Sequence, residues 1–336
     1  VSSAPTCSVI ILNWNGLSFL GPCLEALQRQ TFRDFEIVLV DNASTDGSPE
    51  WVTTHYPDVR LVANKENLGF TGGNNAGFAV AQGEFQILLN NDTEVAPTFL
   101  EKLVEAALQD ERVGMVASVL VFAHRPEYIN SAGIQVHWDG VGLDYLTSRP
   151  VSELPPTPVE VFGPSGGAGL YRRAMLEEVG TFHPEFFIYV EDVDLAWRGQ
   201  LAGWRCMLAP QAIVRHVYSA TMIKKSPRKM FLLARNRLLT LFLNLPTGLW
   251  LRYGAFILAY DLAACAYGLA TGDHEIVRGR LEALKMVPSL RSRRRVIQRQ
   301  RKVPLRELTR LLSPPLAPWT TLRLRREIDR LAQHGA

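Results

Sequence analysis

Polar residues gather at four points in the first 95 residues, each directly after a short apolar run. They are Asn13-Trp14-Asn15-Gly16, the stretch from Asp41 to Gly47, the stretch from Glu66 to Asn75, and Asn90-Asn91-Asp92-Thr93. Any one cluster is also explained by turns and helix N-caps, which favour the same residue types. Four of them at the ends of successive apolar runs point instead to a ligand rich in hydroxyls, ring nitrogens and phosphate oxygens, which supplies the partners that gathered polar groups need. Asp41 suits a hydrogen bond from a base or ribose, and Asp92 suits a hard divalent cation shared with two phosphates. No G-x-G-x-x-G follows the first apolar run and no G-x-x-x-x-G-K-S/T occurs anywhere. A dinucleotide fingerprint and a P-loop are therefore absent, and hydride transfer and ATP-driven work are not expected.

A second set of candidates lies between residues 163 and 216. The run Gly166-Gly167-Ala168-Gly169 permits close backbone approach to a phosphate or a second substrate, and it reads equally as a tight turn. Arg172 and Arg173 follow it, within reach of a diphosphate. Glu191-Asp192-Val193-Asp194 places three carboxylates at the start of a helix, where the macrodipole favours negative charge and capping alone is a sufficient reason for them. The aromatic run Phe186-Phe187-Ile188-Tyr189 before it, and Trp197-Arg198 one turn on, suit a sugar. Gly163-Pro164-Ser165-Gly166-Gly167 also matches G-x-S-x-G, with Asp192 and His216 following in the order of an α/β-hydrolase. That reading leaves Asp41, Asn67 and Asp92 without a role.

The elements that must hold these residues follow an α/β pattern. Strands are predicted at 8–12, 36–40, 59–62, 85–89 and 113–122, and helices at 17–29, 47–55, 73–81 and 97–108, which implies a mostly parallel sheet. In such a sheet ligands bind beyond the carboxyl ends of the strands, where the four polar clusters fall. Residues 123–158 break the rhythm and predict an excursion over the sheet, or a lid. A strand at 159–162, helices at 172–179 and 191–202, and short strands at 206–209 and 213–217 come next. After residue 221 the chain reads as helical and basic.

The segments SVIILNWNG, VDNASTDGS, ENLGFTGGNNAGF, LLNNDTEV, SGGAGLYRR and FFIYVEDVDLAWRGQLAGW, spread over residues 7–245, resemble the family 2 glycosyltransferases of GT-A fold, in particular their bacterial rhamnosyltransferase-like branch. The resemblance implies a GT-A-like, Rossmann-type α/β sandwich and a nucleotide-sugar donor. Asn13, Asp41, Asn67 and Asn91 would lie around the nucleotide, with Gly167 close by. Asp92 would close the D-x-D-type motif and His216 would be a further ligand of Mg²⁺ or Mn²⁺. Asp192 would be the base and Glu191 would contact the acceptor. A single base facing the anomeric carbon implies inversion, and Asp194 would support the helix. The motif here reads Asn90-Asn91-Asp92, with one carboxylate where many relatives carry more. The implied donors are dTDP-rhamnose or a UDP-sugar, and the implied acceptor is a hydroxyl of a polysaccharide or a polyprenyl-linked glycan. A catalytically silent glycan- or nucleotide-binding module is the remaining alternative, since a fold does not by itself guarantee chemistry.

Composition frames this reading. With 47% hydrophobic and 21% charged residues the chain is an ordinary globular protein, neither disordered nor collagenous. Four dispersed cysteines, at 7, 23, 206 and 265, exclude a disulfide framework or a zinc ribbon and favour a reducing compartment. The first seven residues lack a basic, signal-like stretch. The net charge of +3 conceals 16 Lys and Arg against 5 Asp and Glu in residues 274–336, while residues 1–273 carry 20 against 28.

The expected division is thus a catalytic domain at 1–223 and a helical basic region at 224–336. Within the catalytic domain, residues 1–122 form the nucleotide-sugar half and 123–223 the acceptor half. Residues 215–260 hold no acid, and Lys224, Lys225, Arg228, Lys229, Arg235 and Arg237 alternate there with apolar residues. This pattern suits an anionic bilayer surface and a cytoplasmic protein peripheral to the inner membrane face. Residues 249–269 are strongly apolar but interrupted by Arg252 and Asp261, so a spanning helix is disfavoured. The basic run 291–302 also reads as a solvated helix face, and without a reading-head motif nucleic acid is not an expected partner.

Overall fold

A computed structural model describes residues 4–217 and 226–333. The expected domain boundary at 223/224, together with Lys224 and Lys225, lies outside the described residues. The chain opens with β1 (Cys7–Asn13), α1 (Leu17–Gln28), β2 (Phe35–Asp41), α2 (Ser48–His55), β3 (Arg60–Ala63), α3 (Gly69–Val80) and β4 (Phe85–Asn90). Strands β1, β2, β3 and β4 run parallel in the order β3-β2-β1-β4, which brings Asn13, Asp41 and Asn90 to one sheet edge. Helix α3 starts a turn earlier than the sequence predicts. Its glycines, poor helix formers in isolation, are required by packing: a β-carbon on Gly73 would sit 2.3 Å from Leu12, and one on Gly77 2.3 Å from Ile10.

Next come β5 (Thr93–Val95), α4 (Phe99–Ala107), β6 (Val113–Phe122), β7 (Arg125–Ser131), β8 (Ile134–His137), β9 (Gly142–Asp144), β10 (Val159–Val161), β11 (Ala168–Arg172), α5 (Arg173–Val179), α6 (Glu191–Leu201) and β12 (Arg205–His216). The sheet continues from β4 through β11, β6 and β12 to β10. Strand β11 is antiparallel to both neighbours and is the element the sequence conceals. Its Ala-Gly start lacks β-branched residues, and it is a strand because β4 and β6 pair with it on both sides. The two short strands expected near 206–217 are one strand, β12, with an irregularity between Leu208 and Ile213 that accommodates Pro210, which has no N–H to donate. The segment expected to be an excursion or lid instead adds β7 to the edge of β6 and contributes β8 and β9 to a separate small sheet.

Alternate residues of the central strands feed two cores. Val9, Ile11, Ile87 and Leu89 pack on one side with α1 and α4, while Ile10, Leu88, Met115 and Val119 pack on the other with α6. All ten residues of β6 are buried, as expected for a strand covered on both faces. The four cysteines are free thiols, and burial pushes those of Cys7 and Cys23 up to about 12.

The remainder comprises α7 (Pro227–Asn244), α8 (Thr247–Thr271), α9 (Glu275–Arg299), α10 (Leu305–Arg310), β13 (Leu312–Ser313) and α11 (Pro318–Gln333). Leu239, Leu241, Leu243, Leu249, Leu290 and Ile297 from this region belong to the same core as the α6 face of the sheet, and β13 pairs with β8. The basic run at 291–302, at the end of α9 and just after it, divides by role. Arg293 pairs with Glu185 at 2.7 Å, Lys302 pairs with Glu178 at 2.6 Å, and Arg294 donates to the backbone carbonyls of Phe242 and Leu245. Arg291, Arg295 and Arg299, spaced four residues apart, are exposed.

Candidate active site

A cleft of about 720 Å³ opens at the carboxyl edge of the parallel strands. One side of it is floored by an amide network. Asn13 Nδ2 donates to Asp41 Oδ1 at 3.0 Å, the Ser44 backbone N–H donates to Asp41 Oδ2 at 2.8 Å, and Asn91 Nδ2 donates to Asn13 Oδ1 at 2.7 Å. Asn91 and Asn67 line the cleft, together with Trp14, Asn42 and Asn90. Asn13 and Asp41 are buried and lie outside the cleft lining, so they brace the residues that do face it. Asn67 Oδ1 accepts from the Gly69 N–H at 2.9 Å and from Asn42 Nδ2 at 3.3 Å. Gly69 has φ +71, and a β-carbon there would come within 2.6 Å of the Phe187 carbonyl oxygen, so this turn admits only glycine without strain.

At the centre stand Asp92 and His216, which are remote in sequence. Pairing of β12 with β5 sets His216 opposite Thr93, and its Nε2 lies 3.3 Å from Asp92 Oδ1. Nδ1 is 2.8 Å from Asn130 Oδ1, a contact that a neutral ring makes with its proton on Nδ1, and in that tautomer the Nε2 lone pair faces the carboxylate. Two acceptors facing each other require a proton or a cation between them. A separation of 3.3 Å suits neighbouring ligands on one cation, for which bonds of about 2.1 Å give an edge of about 3 Å. Among the described residues no cluster of three or more His, Cys, Asp or Glu side chains forms a cation site, so a cation here would take its other ligands from phosphate oxygens and water. One carboxylate, one imidazole and a diphosphate together fit Mg²⁺ or Mn²⁺.

The start of α6 lines the same cleft, and there Asp192 is half-buried, open to the cleft and enclosed by protein elsewhere, while every other residue of the helix is buried. Asp192 Oδ2 accepts from the Gly166 N–H at 2.9 Å and Oδ1 from the Val193 N–H at 2.8 Å, which fixes the carboxylate. Burial outweighs these two bonds and raises its pKa above the usual carboxylate range. Glu191 is raised further, by burial and then by the charge of Asp192, and its Oε2 has no hydrogen-bond partner in the fold. Gly167 lines the cleft beside these groups, and its carbonyl accepts from the Asn90 N–H at 2.9 Å.

The turn leading into α6 is strained. Phe187, Tyr189 and Val190 have φ of 64, 73 and 69, in the left-handed region that residues with a β-carbon rarely occupy. Asn236 of α7, fully buried, holds it by donating from Nδ2 to the carbonyls of Phe186, Ile188 and Tyr189 at 2.9, 3.0 and 2.8 Å. Replacing Asn236 with alanine removes a donor from all three carbonyls, of which that of Phe186 keeps bonds from the Ile188 N–H and Arg235, with an expected loss of about 1–3 kcal/mol in chemical denaturation.

Several expectations change at this point. Arg172 and Arg173 do not reach the cleft: Arg172 bonds Glu84, Val113 and Ala107, and Arg173 bonds the carbonyls of Ala81 and Gly83. Trp197 is not a sugar platform but packs edge-on against Phe162 in the core. The Gly166 amide serves Asp192 and not a phosphate. Ser165, Asp192 and His216 do not form a triad: the His216 nitrogens face Asn130 and Asp92, and Ser165 precedes a strand where the hydrolase elbow needs a helix.

Asp144, Asn130 and Asn236 escaped the sequence reading because nothing local marks them, while Arg228 and Lys229, read from sequence as facing a bilayer, line the cleft instead. Asp144 opens to the water of the cleft but is enclosed by protein on its other sides. That burial, partly countered by Ser131 and aided by the Asp192 charge, pushes its carboxyl up to about 6. Arg228 and Lys229 stand over the Phe187 and Tyr189 rings at 4.6 and 5.4 Å, beside an apolar lobe lined by Leu232, Leu233, Leu324 and Ile328.

Known proteins share this architecture. The model of the family described as glycosyl transferase family 2 matches residues 8–180. The N-acetylglucosaminyl-diphospho-decaprenol L-rhamnosyltransferase of Mycobacterium tuberculosis is 30% identical over 225 residues, covering 58% of this chain and 72% of that protein. Among solved structures, GalNAc-T7 with UDP, GalNAc and Mn²⁺ aligns with a TM-score of 0.58 at 20% identity, over 72% of this chain and 48% of that one. S. aureus TarS 1–349 in complex with UDP aligns at 0.53 and 18% identity, over 97% and 89%. At such identities these likenesses speak for the fold, a GT-A α/β sandwich with a mainly parallel sheet and a helical C-terminal region. The family match over half the chain speaks for the activity: the chain belongs to glycosyl transferase family 2 and is a glycosyltransferase that uses nucleotide sugars.

Proposed function

We propose that this enzyme transfers a sugar, with inversion, from dTDP-rhamnose or a UDP-sugar to a hydroxyl of a polysaccharide or lipid-linked glycan. The observation that carries the reading is that Asp192, the one half-exposed residue of α6, lines the same cleft as the Asp92–His216 pair. The rhamnosyl preference is supported by the 30% identical mycobacterial relative. The lipid-linked acceptor is supported by the apolar lobe with Arg228 and Lys229 at its side.

In this mechanism Asn67 and Asn91 face the nucleoside, on a floor that Asn13 and Asp41 hold rigid. Asp92 and His216 would hold a Mg²⁺ or Mn²⁺ ion, which when bound neutralises charge developing on the diphosphate. The Asp192 carboxylate takes the proton of the acceptor hydroxyl as its oxygen bonds to the anomeric carbon and the bond to the diphosphate breaks. Glu191, whose carboxyl burial pushes above the usual carboxylate range, contacts the acceptor. With one base on the face opposite the leaving group, a single displacement inverts the anomeric centre.

The test is thermal stabilisation by dTDP, UDP and GDP with and without Mn²⁺. A nucleotide at a hundred times its Kd should stabilise the wild type by about 2.7 kcal/mol. Asp92→Asn should lose the Mn²⁺-dependent part and keep its unliganded melting temperature. Equal stabilisation of the variant would remove Asp92 from the cation site, and stabilisation by no nucleotide would defeat the whole reading.

The exposed row Arg291, Arg295 and Arg299 on α9 supports a location at an anionic membrane surface, where such rows meet lipid headgroups.

A further inference from the structure

We propose that the outward face of α8 inserts into one leaflet of a lipid bilayer, with the helix lying along the interface rather than crossing it. This deepens the membrane location given above and rests on it. From Tyr253 to Gly272 the helix carries one charged residue, Asp261. That carboxylate does not face outward: its Oδ1 accepts from Arg237 and from Arg280, each at 2.8 Å, and both arginines are buried against α7 and α9. The inner stripe of α8 is Leu249, Tyr253, Ile257 and Gly268, with Trp138 stacked on Tyr253 at 5.4 Å. The remaining surface exposes Leu251, Phe256, Leu258, Leu262, Tyr267 and Leu269 to solvent.

An apolar patch along a helix of about 37 Å is far larger than water-facing surfaces of monomers tolerate. Lipid is the occupant that its chemistry selects. A protein partner would need polar groups for a rim of hydrogen bonds, and from Tyr253 to Gly272 this face has no outward charge. A cation stands at its margin instead, in the exposed Arg252 next to Leu251 on the same helix, where headgroup phosphates would lie. The helix is long and apolar enough to cross a membrane. Crossing would require it to abandon the Trp138 stack and to carry Asp261 away from both arginines into hydrocarbon. An insertion along one leaflet keeps both.

The test uses the full chain and flotation with phosphatidylcholine vesicles, with and without phosphatidylglycerol. Wild type should float with both, more tightly with the anionic lipid. Leu258→Glu combined with Leu262→Glu, two exposed positions one turn apart, should lose at least about tenfold in partitioning on both vesicle types. Its melting temperature and nucleotide stabilisation should be unchanged. Arg291→Gln, Arg295→Gln and Arg299→Gln together should remove only the anionic increment. Bromine-labelled acyl chains should quench Leu258→Trp fluorescence beyond the wild-type level. Binding confined to anionic vesicles and unchanged in the double-glutamate variant would overturn insertion while sparing the basic-surface reading. A wild-type dimer that the glutamates split would assign the face to a second copy and overturn it too. No flotation of the wild type at all would overturn both membrane readings and leave the transferase reading intact.

Discussion

Asp192→Asn should lower turnover by about a thousandfold, the usual worth of a general base, while nucleotide-induced stabilisation stays at the wild-type level. The amide keeps the shape of the carboxylate and can accept from one of the Gly166 and Val193 amides, so the local fold persists. What it cannot do is take a proton. The wild-type pH profile carries a second signature of the same group. Burial raises the Asp192 pKa above the ordinary 3.8, and the base must be deprotonated to act. The acid limb of the rate profile should therefore lie above 3.8, with activity increasing as pH rises through the shifted value. Steady-state transfer to a glycan acceptor, run beside the thermal-shift panel, separates the two effects. A variant that retains more than a tenth of wild-type turnover would remove Asp192 from the role of base.

The largest expected loss of stability comes two residues further on. Asp194 is fully buried and binds Arg198 Nε at 3.0 Å, His183 Nδ1 at 3.1 Å and Asn244 Nδ2 at 2.7 Å. Arg198 in turn donates to the carbonyls of Val179, Gly180 and Thr181, closing the end of α5. Burial opposes ionisation of Asp194, but His183, Arg198 and Asn244 outweigh it and hold its carboxyl well below the usual range. Asp194→Asn leaves the Arg198 charge buried without its counter-ion, and the expected cost is about 3–5 kcal/mol in chemical denaturation. The sign with pH follows from the depressed value. The Asp194 contribution is complete above its unfolded value near 3.8 and is lost as pH falls through the folded one, so the gap between wild type and variant should narrow in acid. A gap that is constant from neutral pH into acid would show that the ion pair is not its source.

These two neighbours divide the work of one helical turn, and α7 joins them. Asn244 of α7 completes the Asp194 cluster and Asn236 of the same helix supports the turn that presents Asp192. The C-terminal helices are thus part of the apparatus that positions the candidate base, whatever they also do at a membrane.

How much of this was legible in the sequence depends on how local the signal is. Strands β1, β2, β4 and β6 were read to within a residue or two, because an apolar run bounded by turn residues carries its own evidence. The polar strand ends were legible for the same reason, and parallel order alone puts them on one edge. Residues whose meaning lies in a distant partner were not legible. Strand β11 exists through pairing on both sides, Asn130 and Asn236 matter because His216 and the 186–189 carbonyls lie within 3.0 Å of them, and Asp144 is a lone acid until the fold sets it in the cleft. Trp197 and Arg172 err in the opposite direction, since their residue types suit a sugar or a phosphate and packing turned them elsewhere. Periodicity and the polar strand ends therefore determined the α/β class and the binding edge, and the resemblance of the motifs to a family singled out the candidate carboxylates. Only the tertiary structure decided which polar groups face the cleft and which brace it, because burial and a 3 Å contact are properties of a folded surface and not of neighbours in a chain.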